Sequence, residues 1–300
     1  MSRAAQVSFG PPPDPAAIHL LMAFDEAYAR YATVVLASVR ANTAAPLAAH
    51  FAVAAVPPGI EAAARAAAER LAMSVTVHAI DATPFAAVRM TNHFSRATYF
   101  RLLAGELVAA ARLVYLDCDL IVQDDIAVLA SSGIGDAAVA GVIDSGAARE
   151  AARLGLPPDE PYLNAGVLVI DPAQWTALDV VRRSLGIMNT GATALVYHDQ
   201  DLINIVLAGR KRVLPEKWNI QQLRFRRLPL RAAMPGPRHF RGIFHATGRV
   251  KPWHRWADPW SNELFLIYAE PMGVGLDLRE PRTQFERDCM TRRAARERRT

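Results

Sequence analysis

The stretch Arg112-Leu113-Val114-Tyr115-Leu116-Asp117-Cys118-Asp119-Leu120-Ile121-Val122 decides how this chain folds. Its apolar, β-branched run reads as a buried strand that halts at two carboxylates spaced i, i+2. In extended backbone, side chains two apart point the same way, so Asp117 and Asp119 are expected to aim at one point beyond the strand's end. Paired hard oxygen donors there suit a divalent cation, and a cation suits a substrate carrying phosphates. The plainer reading is a solvated turn where a strand stops.

Working outward, residues 18–24 form a short apolar strand ending at Asp25-Glu26, and residues 28–42 carry a helical apolar pattern. Residues 50–56 read as a second strand closed by Pro57-Pro58-Gly59, residues 61–73 as an Ala-rich helix, and residues 75–80 as a third strand. Such alternation predicts an α/β fold, a mostly parallel central sheet flanked by helices. Further along, 95–107 reads as helix, 138–143 and 166–170 as strands, 199–208 as helix and 224–242 as loop. The expected organisation is a flexible leader (1–16), one domain (17–260) and a C-terminal helical, basic tail (261–300).

Of the 300 residues, 52% are hydrophobic and 21% charged, which excludes global disorder and supplies a core. The net charge of +5 is concentrated in 224–241 and 279–299. Arg residues in the tail alternate with Glu280, Glu286, Asp288 and Glu297, and aromatics are few, so nucleic acid is not the expected partner. A solvated helix or peripheral contact with an anionic membrane surface fits better. The two cysteines, Cys118 and Cys289, write no disulfide framework. With no stretch of about 18 apolar residues, and Pro11-Pro12-Pro13 where a secretory signal needs apolar residues, the expected location is cytoplasmic, at most on the inner membrane face.

Four constellations carry chemistry. Ligands of open α/β sheets lie beyond the carboxyl ends of strands, where Asp25-Glu26 and Asp117-Cys118-Asp119 both fall. In the run from Phe244 to His254, His245 is a candidate metal ligand, Gly248 allows close backbone approach to a phosphate, and Lys251 supplies a point charge. Asn164-Ala165-Gly166 enters a strand with one amide and two small residues that leave room for a ligand. His198-Asp199-Gln200-Asp201 opens a helix, where acids serve either as caps or in function.

Together these segments resemble the retaining glycosyltransferases of family 8, which have the GT-A (Rossmann-like) fold and include bacterial lipopolysaccharide galactosyl- and glucosyltransferases. The resemblance runs from about residue 18 to 253, with the motifs in family order. It implies transfer of glucose or galactose from a UDP-hexose, with retention, to a saccharide or lipid-linked acceptor. Asp117, Asp119 and His245 would hold Mn2+, or else Mg2+. Asp25, Tyr28, Arg101, Asn164, Ala165, Gly248 and Lys251 would bind the donor, and His93 and Asp144 would border the acceptor. Gln200 and Asp199 would be the catalytic pair, with Gln200 below the anomeric carbon and both steadying an oxocarbenium-like centre during front-side attack. One departure is Ala27, where the family usually has Asn; it removes an amide from the base pocket. The rival readings are a non-catalytic, degenerate transferase that binds carbohydrate, and a haloacid-dehalogenase-like phosphatase with Asp117 as nucleophile. The phosphatase wants Thr or Val two beyond the second acid and meets Ile121.

Overall fold

The computed structural model describes residues 5–86, 95–191, 194–222 and 235–297. After β1 (Ala5–Phe9), the first half alternates as the sequence implies: β2 (Ile18–Ala23), α1 (Ala29–Asn42), β3 (Leu47–Val53), α2 (Pro58–Leu71) and β4 (Ser74–Ala79). A 3-10 segment (Arg96–Leu103) runs into α3 (Ala104–Leu107), where the sequence reading expected one helix; β5 (Leu113–Leu116) follows. Next come β6 (Leu120–Val122), α4 (Ile126–Ala130), β7 (Val139–Ile143), α5 (Ala147–Arg153), β8 (Leu163–Ile170), α6 (Pro172–Ala177), α7 (Val180–Thr190) and α8 (His198–Val206). The chain continues through β9 (Lys211–Val213), β10 (Ile220–Gln221), β11 (Ile243–His245), α9 (Pro259–Ala269) and α10 (Gln284–Glu297). Most of the expected loop 224–242, and His93, lie outside the described residues.

The main sheet has the order β1-β4-β3-β2-β5-β8-β7-β9, and β10-β11-β6 form a second, three-stranded sheet. Strands β4, β3, β2 and β5 are mutually parallel, but β8 runs antiparallel between β5 and β7. That reversal positions the site: the start of β8 lies beside the end of β5, where the Asp117 N–H donates to the Gly166 carbonyl. On the other side β11 pairs antiparallel with β6, setting His245 opposite Leu120, one residue past Asp119.

Strand alternation builds a core on each face. Leu20, Met22, Val114 and Leu116 face Val35 and Leu36 of α1 and Ala64 and Ala67 of α2. Leu21, Leu113 and Tyr115 face Leu102, Trp175 and Leu202. At both ends of the expected domain the structure departs from the sequence reading. Residues 5–9, expected in a flexible leader, add an antiparallel edge strand in register Val7↔Val77; their polar–apolar alternation suits an edge that Pro11 then ends. The proposed tail begins inside α9, whose Leu264, Phe265 and Tyr268 are buried in a third core with Tyr31, Val34 and Trp253.

Candidate active site

Asp117 follows the last residue of β5, and a tight turn through Cys118 and Asp119 leads into β6. The acids thus lie on a turn rather than in continuous extended backbone, because the chain must leave one sheet for the other. Cys118 is buried in the core beneath, so the carboxylates still share a side. His245 Nε2 lies 3.4 Å from Asp119 Oδ1 and 3.7 Å from Asp117 Oδ2. The three residues' candidate ligand atoms lie within 4.8 Å of one another. Neighbouring and opposite oxygen ligands of a six-coordinate cation stand roughly 3 and 4.2 Å apart, given bonds of about 2.1 Å. The donor set and its spacing fit a hard divalent ion, and no described residue adds a thiolate that would favour zinc.

The remaining lone pairs are engaged. Asp117 Oδ1 accepts from Arg101 Nη2 and the Tyr115 hydroxyl, both at 2.9 Å. Lys251 Nζ donates to Asp119 Oδ2 at 2.6 Å and to the Ala246 carbonyl at 2.7 Å. Burial pushes the Asp119 carboxyl upward, but Lys251, joined by His245 when its ring is charged, outweighs it and holds the group below the ordinary carboxylate range. Gly166 leaves the space the imidazole needs: a Cβ there would stand 2.1 Å from His245 Cε1 and 2.8 Å from Asp117 Oδ2. The small residue expected to make room for a ligand thus makes room for the candidate metal ligands themselves.

Arg101, expected against the donor, is 6% exposed and directs its fork at protein acceptors. Nη1 donates to the Ala165 carbonyl at 2.7 Å, Nε lies 2.8 Å from Asp199 Oδ2, and the cation sits over the Tyr115 ring. It therefore bridges Asp117 and Asp199. Asp199 also accepts from Thr98 Oγ1 at 2.6 Å; burial pushes its carboxyl up to about 6, against the pull of Arg101 and Thr98. Gln200 Oε1 accepts from the Ala165 N–H at 3.0 Å, and its Nε2 donates to Asp144 Oδ2 and the Tyr162 hydroxyl, each at 3.2 Å. Asp144 also accepts from Asn164 Nδ2 at 2.9 Å, so this residue, expected at the acceptor border, joins the Asn164–Gly166 segment to Gln200.

The Asp25 segment reaches the site through Tyr28. Asp25 caps the turn Glu26–Tyr28 by accepting from the Ala27 N–H, while Glu26 accepts from Gly59 N–H and is tied to the start of α2. The Tyr28 phenol is pushed upward by burial, then by the charges of Asp119, Cys118 and Asp25. Its ring meets the edge of Trp253, which stacks on Tyr31 with centroids 3.7 Å apart. Gly248 lies beside Gln222 Oε1. Sequence reasoning missed Asn219, Thr98 and Tyr115. Asn219 follows Trp218 in a short turn, with no spacing that marks it.

The sequence profile described as Glycosyl transferase family 8 matches residues 19–257. The lipopolysaccharide 1,2-glucosyltransferase of Escherichia coli (strain K12) is 30% identical over 63% of this chain and 59% of that protein. The lipopolysaccharide 1,3-galactosyltransferase of Salmonella typhimurium is 26% identical over 64% of this chain and 59% of that protein. The chain thus spans about three-fifths of these relatives' length. Among solved structures, galactosyltransferase LgtC in complex with donor and acceptor sugar analogues is 25% identical. It superposes with a TM-score of 0.74, over 91% of this chain and all of that one. A family match of this extent removes the phosphatase reading.

Proposed function

The chain belongs to glycosyl transferase family 8, and from that premise we propose that it transfers glucose or galactose from a UDP-sugar to a saccharide or lipid-linked acceptor, with retention. The observation that carries the reading is the convergence of Asp117, Asp119, His245 and Lys251 at the end of β5. Relatives named for lipopolysaccharide glycosylation favour a glycolipid acceptor.

The barrier to transfer is set by negative charge accumulating on the departing diphosphate. A divalent cation, Mn2+ in this proposal, supplies Lewis acidity toward that charge when Asp117, Asp119 and His245 hold it. Lys251 places an ammonium on the same side, and Gly248 allows backbone N–H groups to come close. Arg101 fixes the carboxylates of Asp117 and Asp199 relative to each other, which makes it a positioning residue here. Asp199 is held by Arg101 and Thr98, and Gln200 offers only an amide, so neither is a ready nucleophile below the sugar. This favours front-side attack, in which the acceptor hydroxyl gives its proton to the departing phosphate oxygen. Gln200 and Asp144 then orient hydroxyls around the reacting carbon. A covalent glycosyl adduct trapped on Asp199 or Asp201 would overturn that route.

The test is a screen of UDP-sugars for hydrolysis and transfer with Mn2+. Asp117→Asn and Asp119→Asn should each lower turnover by roughly two orders of magnitude. A wild-type chain that binds UDP-sugar but releases no UDP is instead a degenerate binder. Among the described residues no helix is long and apolar enough to cross a membrane. Peripheral contact through basic residues of 279–300 is part of the same proposal, checked by co-sedimentation with anionic vesicles.

A further inference from the structure

We infer that Asn219 is a positioning residue that decides which nitrogen of His245 carries the proton, and so whether Nε2 can bind a cation. The inference rests on the metal-dependent reading above and concerns a residue outside every motif of the family resemblance.

One group in the network has a fixed role. The Gly166 backbone N–H can only donate, and it lies 3.1 Å from the side-chain oxygen of Asn164. That contact identifies Asn164 Oδ1 as oxygen, and places Asn164 Nδ2 where it donates to Asp144. Asn219 meets the same Asn164 oxygen at 2.8 Å, so the atom it presents there must be its NH2. Its oxygen is then the atom 2.8 Å from His245 Nδ1. An amide oxygen accepts only, so Nδ1 must carry a hydrogen. In the neutral ring, the form that can bind a cation, the lone pair of His245 is then left on Nε2, which faces Asp117 and Asp119.

Without Asn219 the balance reverses. Two carboxylates beside Nε2 attract a proton to that nitrogen, and an Nε2–H aimed at the cation position blocks ligation. Water has little access to take over, because Asn219 is 1% exposed and His245 4% exposed. The geometry is held by backbone: β10 begins at the next residue and runs parallel to β11, with Gln221 opposite His245. Through Asn164 the network continues to Asp144 and Gln200. The candidate metal ligand His245 and Gln200 are therefore oriented by one chain that runs from Asn219 through Asn164 and the Asp144 carboxylate.

Two measurements test this. Long-range 1H–15N NMR on metal-free protein reads the tautomer of His245, and Mn2+ titration followed by electron paramagnetic resonance reads affinity. The wild type should show Nδ1–H. Asn219→Leu should shift the ring toward Nε2–H and weaken Mn2+ binding roughly 10- to 100-fold. Asn219→Asp keeps an acceptor facing Nδ1 and should retain the wild-type tautomer. Wild-type His245 that, at a pH where the ring is neutral, carries its single proton on Nε2 overturns the inference, whether or not the leucine variant folds. So does a folded Asn219→Leu whose Mn2+ affinity lies within about twofold of wild type. Asp119→Asn separates this inference from the function: it should lose Mn2+ while keeping Nδ1–H. If the wild type binds no Mn2+ yet shows Nδ1–H that Asn219→Leu abolishes, the functional reading fails and the placement of the proton stands.

Discussion

At the scale of single residues, the site depends on side chains that leave no slack. Gly166 has no Cβ because His245 and Asp117 occupy that space. Gly166→Ala should therefore displace the imidazole by the order of an ångström and lower turnover roughly 100-fold, while the circular dichroism spectrum is kept. Mn2+ affinity should fall with it, which separates a displaced ligand from a sugar-pocket defect. Asp117, Asp119, His245 and Lys251 were legible in the sequence because their chemistry is unusual beside apolar strands. Asn219 was not legible: its role comes from hydrogen bonds to Asn164 and His245, respectively 55 and 26 residues away. Arg101 was legible as a participant, but its partners in the fold could not be read.

At the scale of elements, strand positions followed from apolar runs, whereas strand direction did not. Nothing local in residues 163–170 says that β8 opposes β5, yet that reversal brings Asn164 and Gly166 to the acids. The edge strand β1 was hidden for a related reason, since a five-residue strand gains its stability from the partner it joins. The sheet also carries a ladder across four strands. Gln6 Nε2 donates to His78 Nδ1 at 3.1 Å, and the His78–His50 and His50–His19 ring nitrogens follow at 3.1 and 3.0 Å. Burial lowers His78 to about 4, and burial with the charges of its neighbouring rings lowers His50 to about 3. The unfolded chain, with histidines near 6.5, binds more protons between that value and about 4. Stability should thus be full above pH 6.5 and fall as pH drops through this window, by about 2 kcal/mol near pH 5 for each of the two histidines. Thermal melts of wild type and His50→Leu should show a shallower pH slope in the variant.

At the scale of the whole molecule, the C-terminal segment is fastened rather than trailing. The Arg293 guanidinium reaches the carbonyls of Arg255 and Ala257 and the side-chain oxygen of Asn262. Arg279 pairs with Glu286 at 2.7 Å and lies over the Trp256 ring. The sequence showed a basic helical stretch but not this docking, because mixed charges read alike whether they face water or a carbonyl cluster. Arg293→Ala should undock α10, exposing it to protease, and cost about 1–3 kcal/mol of stability by leaving polar groups unpaired. Urea denaturation with limited proteolysis checks both effects.

The segment carrying Gly248 and Lys251 is anchored at each end. Before it, β11 is hydrogen-bonded to β6; after it, Trp253 lies flat on Tyr31, with an interplanar angle of 8°. A span pinned at both ends, with the Lys251 ammonium tied to Asp119 between them, is held like the handle of a bucket between its two lugs. It cannot swing aside like a door without breaking the aromatic clasp.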